Sequence, residues 1–235
     1  MFAVLLHLGT LLSLIAVYYR IIWELIIELF AAVRDLAAGK GLQLKNNDNR
    51  KLGVMIVIAT IPTALIGILF NDFFNNLYNS IPAIGFSLII TGCFLWLAER
   101  MDQKDKNIRE MKVTDALFVG LCQGIAIIPG ISRSGATIVG SLFSGLKREL
   151  AVKFAFLISI PAILGAAIVE APGAIEEGLA AGFAIPLICG VSVAAVSGYI
   201  AIRTMIRLVS NKKLYVFSFY TWIVGGAVLL YTFLS

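Results

Sequence analysis

Charged residues are scarce in this chain of 235 residues, and so are the side chains that most often bind metals. Asp, Glu, Lys and Arg together make up 14% of the sequence, against about 25% in soluble globular domains. There is one histidine, and the three cysteines have no metal-ligand spacing. The composition therefore excludes an ordinary soluble domain. The cysteines are interpreted as small core residues, without a disulfide framework or a metal site.

Long apolar runs make up most of the chain. Hydrophobic residues account for 60% of it, and the mean hydropathy is +0.94. A helix needs about 20 apolar residues to cross roughly 30 Å of hydrocarbon, and six runs approach that length: 2–19, 53–70, 81–98, 154–169, 183–202 and 214–234. The runs lack the alternating pattern of barrel strands. The sequence therefore predicts an all-α polytopic membrane protein with six transmembrane helices in a single transmembrane domain, 1–235.

The basic residues are distributed unevenly between the loops. Of the 19 Lys and Arg residues, 18 lie just after the first run or in four segments, 34–51, 100–114, 147–153 and 203–213. Cytoplasmic loops carry an excess of Lys and Arg, so this pattern places the four segments in the cytoplasm and both chain ends outside. The net charge of +5 then indicates orientation and attraction to anionic lipid, and no nucleic-acid partner is expected.

One arginine, Arg133, does not fit this distribution. It follows Pro129 and Gly130, which separate two apolar segments, 116–128 and 135–146. At 1.5 Å per residue neither segment is long enough to cross the membrane, and both meet basic loops. We therefore expect a re-entrant helix-loop-helix that enters and leaves on the cytoplasmic side, with Arg133 at its turn. The alternative is an arginine that reaches an interface, but it lies roughly 20 Å of helix from its loop.

The residues around Arg133 are suited to binding an anion. Ser132 is predicted to cap a helix that begins near Ser134, so that the positive end of this helix points to the turn. Ser132, Ser134 and Thr137 add hydroxyl groups, and a guanidinium group matches two phosphate oxygens at once. The segment therefore predicts a phosphate or diphosphate site. The backbone of Gly135 is expected to reach the anion, whereas the other small residues nearby are better explained by helix packing.

The order of the apolar elements indicates an internal repeat. Residues 2–17 resemble 154–169 at most apolar positions, and in the expected topology the two segments cross in opposite senses. The sequence thus predicts an inverted repeat, with a partial first copy in 1–99 and a second copy in 115–235 that includes the re-entrant hairpin, 115–146. Inverted repeats tend to place binding sites between the copies near the midplane. An enzyme and a transporter are both compatible with that arrangement.

A resemblance to a known family is carried by the segment with the arginine. Residues 129–137 read PGISRSGAT and resemble the P-G-x-S-R-S-x-x-T motif of the undecaprenyl-diphosphatases, also called undecaprenyl pyrophosphate phosphatases or bacitracin-resistance proteins. The segments 147–166 and 219–231 extend the resemblance over nearly the whole chain. It implies catalytic roles for Arg133 and Ser132. The substrate-binding residues that it and the anion-site pattern suggest are Ser134, Thr137, Gly135, Gln123 and Gly130.

The resemblance implies hydrolysis of undecaprenyl diphosphate to undecaprenyl phosphate and inorganic phosphate, which recycles the carrier lipid of cell-wall synthesis and gives bacitracin resistance. It also implies a plasma-membrane protein whose active site faces the outer side. The sequence shows no cofactor motif and no metal ligands, while the resemblance allows a divalent cation, Mg²⁺ or Ca²⁺, and a homodimer. The alternative function is a polyprenyl-phosphate transporter or flippase that uses the same anion site.

The chain departs from the family's pattern in one respect. Members carry an E-G-x-T-E-F-L-P-x-S-S-T-G-H type motif on a first re-entrant hairpin, and its glutamates, serines and histidine are implied to carry catalysis. That motif is absent from the sequence, and His7 does not match its histidine. A packing or polar-contact role is expected for His7, with a place at the site as the alternative. Arg20, Glu24 and Glu28 fit a solvated ion-pair face. We therefore expect residues 1–235 alone to be a poor phosphatase, since no general base is evident.

Overall fold

The computed structural model describes residues 2–44, 47–101, 104–176 and 184–234, with the backbone alone for 2–5, 170–176 and 184–186. Over these ranges the chain forms nine α-helices and no β-strand. They are α1 (Phe2–Ala37), α2 (Asp48–Leu69), α3 (Asn71–Tyr78), α4 (Ile81–Arg100), α5 (Val113–Ile125), α6 (Arg133–Phe143), α7 (Arg148–Glu176), α8 (Ala184–Ser210) and α9 (Tyr215–Leu234). The all-α class is confirmed.

Six of these helices are long and apolar enough to cross a membrane, namely α1, α2, α4, α7, α8 and α9. They correspond to the six apolar runs. An apolar run within lipid forms a helix because a helix satisfies all its own backbone polar groups. The prediction of a polytopic membrane protein with six transmembrane helices is confirmed. The short helix α3 was not predicted. Its sequence, NDFFNNLY, is rich in asparagine, and Phe74 is its one buried residue.

The chain divides into two compact units, and the first contains Met1–Gly53 and Phe156–Arg207. Helix α1 kinks at Tyr18, whose backbone angles (φ −115°, ψ 18°) are not helical. The Tyr18 ring lies beside that of Phe156, with 6.2 Å between the ring centroids. Further along this unit, the Ser13 hydroxyl donates to the carbonyl oxygen of Ala195 at 2.6 Å. Ring packing therefore joins α1 to α7, and a partly buried hydrogen bond joins α1 to α8.

The charged side chains beyond the kink pair differently from the prediction. Glu28 accepts a hydrogen bond from Arg50 Nε at 3.0 Å, and Arg50 Nη1 lies 2.7 Å from Asp35 Oδ2. Glu24 accepts from the Asn49 side chain at 2.9 Å. Arg50 is buried, so a solvated ion-pair face is wrong for Glu28. The physical reason is that the start of α2 folds back onto α1 and supplies partners that lie outside one helix.

The second unit contains Val54–Ala155 and Leu208–Ser235. Within it α4 and α9 pack closely through glycines. A Cβ atom at Gly92 would overlap the Trp222 indole, and one at Gly225 would lie 2.9 Å from the carbonyl oxygen of Gly85. The Trp222 Nε1–H donates to the carbonyl oxygen of Ile89 at 3.2 Å. Small residues allow such close approach where apolar burial from water is not available to join helices.

The segment predicted to be re-entrant forms two short helices, α5 and α6, separated by a turn at Pro129 and Gly130. The helix-turn-helix is confirmed, and its depth in the membrane stays a prediction. At the open end of the hairpin, Lys106 Nζ lies 2.9 Å from Asp115 Oδ2 and 2.8 Å from the carbonyl oxygen of Ser144. One ammonium group therefore joins the start of α5 to the end of α6.

Helix α2 packs against one face of α5. The Thr63 hydroxyl donates to the carbonyl oxygen of Gly120 at 2.9 Å, and a Cβ atom at Gly120 would overlap the carbonyl oxygen of Ala59. Another face of α5 contacts α6. There, a Cβ atom at Gly140 would lie 2.7 Å from Cys122 Sγ. Glycines thus set the spacing on both sides of α5. The packing role of Gly140 was predicted from the sequence, whereas that of Gly120 was not.

All three cysteines are free thiols. Cys122 is partly buried between α5 and α6, whereas Cys93 and Cys189 are exposed on their helices. The interpretation as core residues is therefore wrong for Cys93 and Cys189. Both lie on apolar helices that could cross a membrane, where a small, weakly polar side chain suits an apolar outer surface as well as a core.

Candidate functional site

The turn between α5 and α6 holds most of the residues predicted to bind an anion. Helix α6 begins at Arg133, and Ser132 is its N-cap, with Ser132 Oγ accepting from the Gly135 amide at 3.1 Å. The predicted serine cap is confirmed, and the helix begins one residue before Ser134. The capped end carries partial positive charge from the helix dipole. Positive charge of the backbone and of Arg133 therefore coincides at the turn.

Arg133 is partly buried, and its surroundings differ from those of two buried arginines that pair with carboxylates. Arg50 and Arg148 each lie within 2.8 Å of a carboxylate oxygen. In the described part of the chain, no ion pair links Arg133 to a carboxylate. Removing a charge from water without a partner is unfavourable. An anionic ligand would offset that cost.

The hydroxyl groups of this segment differ in what they can offer a ligand. Ser132 Oγ uses a lone pair, not its proton, to bind the Gly135 amide. Thr137 is buried, and its hydroxyl donates to the carbonyl oxygens of Arg133 and Ser134 at 2.9 and 3.1 Å. Ser134 is partly exposed at the turn. Thr137 and the Gly135 amide thus support the first turn of α6, and their contact with substrate stays a prediction.

The two remaining predicted residues lie before the helix. Gln123 is almost fully buried on α5, at 1% exposure. Gly130 has φ +91°, in the region that favours glycine. A Cβ atom there would lie 2.5 Å from the carbonyl oxygen of Ile84 on α4. The glycine is therefore explained by the turn and by its close approach to α4, and substrate contact by Gln123 or Gly130 stays a prediction.

Helix α4 contributes a residue that the sequence analysis missed. The Thr91 hydroxyl donates to the carbonyl oxygen of Gly130 at 3.4 Å and accepts from the Ser132 amide at 3.3 Å. Thr91 lies four residues after Ser87, whose Cβ would be 2.9 Å from a Cβ atom at Gly130. Polar Ser87 and Thr91 at helical spacing within the apolar run 81–98 were the available signal, since they mark one face of α4.

The side chains of this turn are not those that a divalent cation prefers, and the Mg²⁺ or Ca²⁺ that the resemblance allows stays a prediction. Mg²⁺ and Ca²⁺ bind chiefly carboxylate and carbonyl oxygens, while the turn supplies hydroxyl groups and a guanidinium. Over the described residues, no group of three or more His, Cys, Asp and Glu side chains could hold a metal ion. His7 is exposed on α1, in the first unit. Its predicted packing or polar-contact role, and a place at the site, both stay predictions.

Comparison with known proteins identifies the family. The family described as "Bacitracin resistance protein BacA" matches residues 1–227. The chain belongs to the BacA family. The match confirms the resemblance carried by PGISRSGAT and by segments 147–166 and 219–231, over nearly the whole BacA chain.

Similar proteins of known name agree with the BacA assignment. The undecaprenyl-diphosphatase of Alkaliphilus metalliredigens is 50% identical over 231 residues, which cover 98% of this chain and 84% of that protein. The undecaprenyl-diphosphatase of Halothermothrix orenii is 40% identical over 227 residues, covering 97% and 81%. That of Carboxydothermus hydrogenoformans is 41% identical over 232 residues, covering 98% and 82%.

Proposed function

We propose that this chain hydrolyses undecaprenyl diphosphate to undecaprenyl phosphate and inorganic phosphate. Family membership and the names of its relatives support this reaction. The single observation that carries it is the state of Arg133, a partly buried cation beside a capped helix N-terminus, with no carboxylate paired to it in the described residues. A diphosphate head group supplies the missing negative charge. The six apolar helices suit a protein that lies in the same membrane as a lipid substrate.

The proposed catalytic residues are Arg133 and Ser132. The Arg133 guanidinium binds two oxygens of the terminal phosphate, and the Ser132 hydroxyl donates its proton to a third oxygen. In phosphoryl transfer the negative charge is spread over the transferred oxygens, so positive charge already in place stabilises the transition state. The proposed substrate-binding residues are Ser134, Thr137, Gly135, Gln123 and Gly130.

The hydrolysis itself requires a group that accepts a proton. Water adds to the terminal phosphorus, the bond from that phosphorus to the bridging oxygen breaks, and undecaprenyl phosphate leaves. A general base must take the proton of the water. The side chains hydrogen-bonded to the turn and the first turn of α6 in the described structure are the hydroxyl groups of Thr91, Ser132 and Thr137. The turn therefore accounts for anion binding, and proton transfer is assigned to no residue.

The proposal is tested by phosphate release from undecaprenyl diphosphate in detergent micelles. Two proteins are compared: residues 1–235, and the same chain preceded by the N-terminal segment of the Alkaliphilus metalliredigens relative. We expect undecaprenyl phosphate and inorganic phosphate in equal amounts, at a rate that the added segment raises strongly. Robust release by 1–235 alone would contradict the expected poor activity and show that the base lies within this sequence. No release from either protein would overturn the proposed function.

A polyprenyl-phosphate transporter is the alternative from the sequence analysis, and the names of the relatives do not support it. Movement of labelled lipid across vesicle membranes, without phosphate release, would be its signature. The homodimer and the divalent cation rest on the family resemblance alone. Cross-linking in native membranes and assays with a chelator address them.

The plasma membrane is the proposed location, with the diphosphate site open to the outer side. The distribution of 18 of 19 basic residues supports this orientation. In a cysteine-free background, a cysteine at Asn76 is expected to react with an impermeant maleimide added to intact cells. A cysteine at Asn107 is expected to react only after permeabilisation. Both positions are exposed on the protein.

Reaction of both cysteines from the same side would contradict the proposed topology. A second pair, Gly178 outside and Lys45 inside, follows from the sequence pattern alone, since both positions lie outside the described residues. Each cysteine variant is first shown to be labelled in detergent, so that a missing signal reports the membrane side and not an unreactive thiol.

A further inference from the structure

Thr91 binds the turn at two points that flank one residue. Its hydroxyl oxygen is 3.4 Å from the carbonyl oxygen of Gly130, to which it donates, and 3.3 Å from the Ser132 nitrogen, from which it accepts. Thr91 is buried at 4% exposure. The proton and a lone pair of one hydroxyl group are thus both used, on either side of Ile131. A single side chain of α4 fixes the peptide groups that lead into Ser132 and Arg133.

Three other helical threonines use their hydroxyl groups differently, while Thr63 bonds both within its own helix and to Gly120 on α5. Thr60, Thr221 and Thr232 each donate to a carbonyl oxygen three or four residues earlier in their own helix. That bond is the usual one for a threonine within a helix. Thr91 instead reaches a separate segment of the chain, 39 and 41 residues away.

The face of α4 around Thr91 also limits where the turn can lie. A Cβ atom at Gly130 would be 2.5 Å from the carbonyl oxygen of Ile84 and 2.9 Å from Ser87 Cβ. Ile84, Ser87 and Thr91 follow one another at helical spacing, so they form a continuous stripe on α4. Contact with this stripe stops the turn from moving closer to α4, and the Thr91 hydrogen bonds stop it from moving away.

We propose that Thr91 is a positioning residue for the diphosphate site, an inference that rests on the proposed function. It holds the peptide groups of Gly130 and Ser132 so that the Ser132 hydroxyl and the Arg133 guanidinium face the transferred phosphate together. Displacement of a reacting group by about 1 Å is enough to lower a rate by as much as 10²-fold. The Thr91 hydroxyl makes the two hydrogen bonds that position the turn, and the Thr91 methyl group only fills space.

The test is made in the chain preceded by the N-terminal segment of the Alkaliphilus metalliredigens relative, which is the unmodified protein of this comparison. It compares Thr91→Val, which keeps the shape and removes the hydroxyl, with Thr91→Ser, which keeps the hydroxyl. The matched control is Thr63→Val, because Thr63 is buried and its hydroxyl also joins two helices, but at Gly120 and not at the turn. Thr91→Val is expected to lower kcat by about 10-fold or more, the effect of losing hydrogen bonds worth about 1 kcal/mol each. KM should change less than about 3-fold, since charge and lipid contacts remain.

Thr91→Ser and Thr63→Val are expected to keep kcat close to that of the unmodified protein, because the first keeps the hydroxyl at the turn and the second removes one that contacts Gly120 and not the turn. Amide hydrogen exchange provides a readout that does not depend on turnover. The Ser132 amide should exchange faster in Thr91→Val and remain protected in Thr91→Ser. This combination supports positioning by the hydroxyl, because a merely structural role would not separate kcat from KM or be rescued by serine.

Three results would overturn the proposal. The first is an unchanged kcat in Thr91→Val although its Ser132 amide exchanges faster. The second is unchanged exchange of the Ser132 amide in Thr91→Val, and the third is an equal loss of kcat in Thr63→Val. Failure of the proposed function gives a different result, since the unmodified protein would then release no phosphate while hydrogen exchange still reported whether Thr91 holds the turn.

Discussion

In the chain preceded by the N-terminal segment of the Alkaliphilus metalliredigens relative, replacing Arg133 by alanine is expected to lower phosphate release from undecaprenyl diphosphate by about 100-fold or more, on the order of what losing a preorganised charge contact costs. The reason is the position of the guanidinium, which is partly buried at the first residue of α6. Water and salt screen such a charge less than an exposed one. The assay is the same phosphate release in detergent micelles, with the amount of folded protein measured by size-exclusion chromatography.

Arg133→Lys separates charge from shape. Lysine keeps the positive charge but cannot bind two phosphate oxygens with a planar fork, so an intermediate rate is expected. Arg207→Ala is the control, because Arg207 is an exposed arginine on α8 and its loss should leave the rate unchanged. Unmodified rates in folded Arg133→Ala would remove Arg133 from the site and would leave the proposed function without its main structural support.

Replacing Glu99 by alanine is expected to lower the free energy of unfolding by about 3–5 kcal/mol, the usual result of removing one partner of a buried ion pair. Glu99 Oε1 lies 2.8 Å from Arg148 Nη2, and the two side chains are only 11% and 8% exposed. Glu99 Oε2 accepts from the Leu214 amide at 2.6 Å, and Arg148 Nη1 donates to the carbonyl oxygen of Val209 at 3.3 Å. The variant would leave a buried arginine without its carboxylate.

Glu149→Ala is the matched control for this second prediction. Glu149 also pairs with a neighbouring cation, Lys147, but at 3.8 Å and with side chains that are 80% and 46% exposed. An exposed pair of this kind contributes about 0–1 kcal/mol. Unfolding by denaturant in micelles, followed by tryptophan fluorescence, should therefore separate the two variants clearly. Equal and small losses would contradict the importance of the buried pair.

The features that the sequence predicted are those that depend on neighbouring residues. Six apolar runs became six helices because lipid requires each backbone to satisfy its own polar groups. Ser132 became the cap of α6 because capping is decided within three residues. The turn at Gly130 was predicted for the same reason, since proline and glycine interrupt helices locally.

The features that the sequence did not predict depend on residues far apart in the chain. Glu28 pairs with Arg50, 22 residues later, so spacing within α1 gave the wrong partner. Thr91 is bonded to a turn 39 residues away, and nothing in an apolar run shows which helix face meets that turn. The PGISRSGAT segment identified the family and the kind of ligand. The surface of α4 that contacts this segment could be identified only from the fold.

The short lengths of α5 and α6 constrain how the protein is assembled in the membrane. The two helices have 13 and 11 residues, and neither can cross the hydrocarbon as an independent span. As the re-entrant hairpin that the sequence predicts, they would therefore enter the membrane together and not one at a time. The surface on which their turn rests belongs to α4, which precedes the pair in the chain and so leaves the ribosome first. The surface of α4 that holds the turn is therefore synthesised before the turn itself.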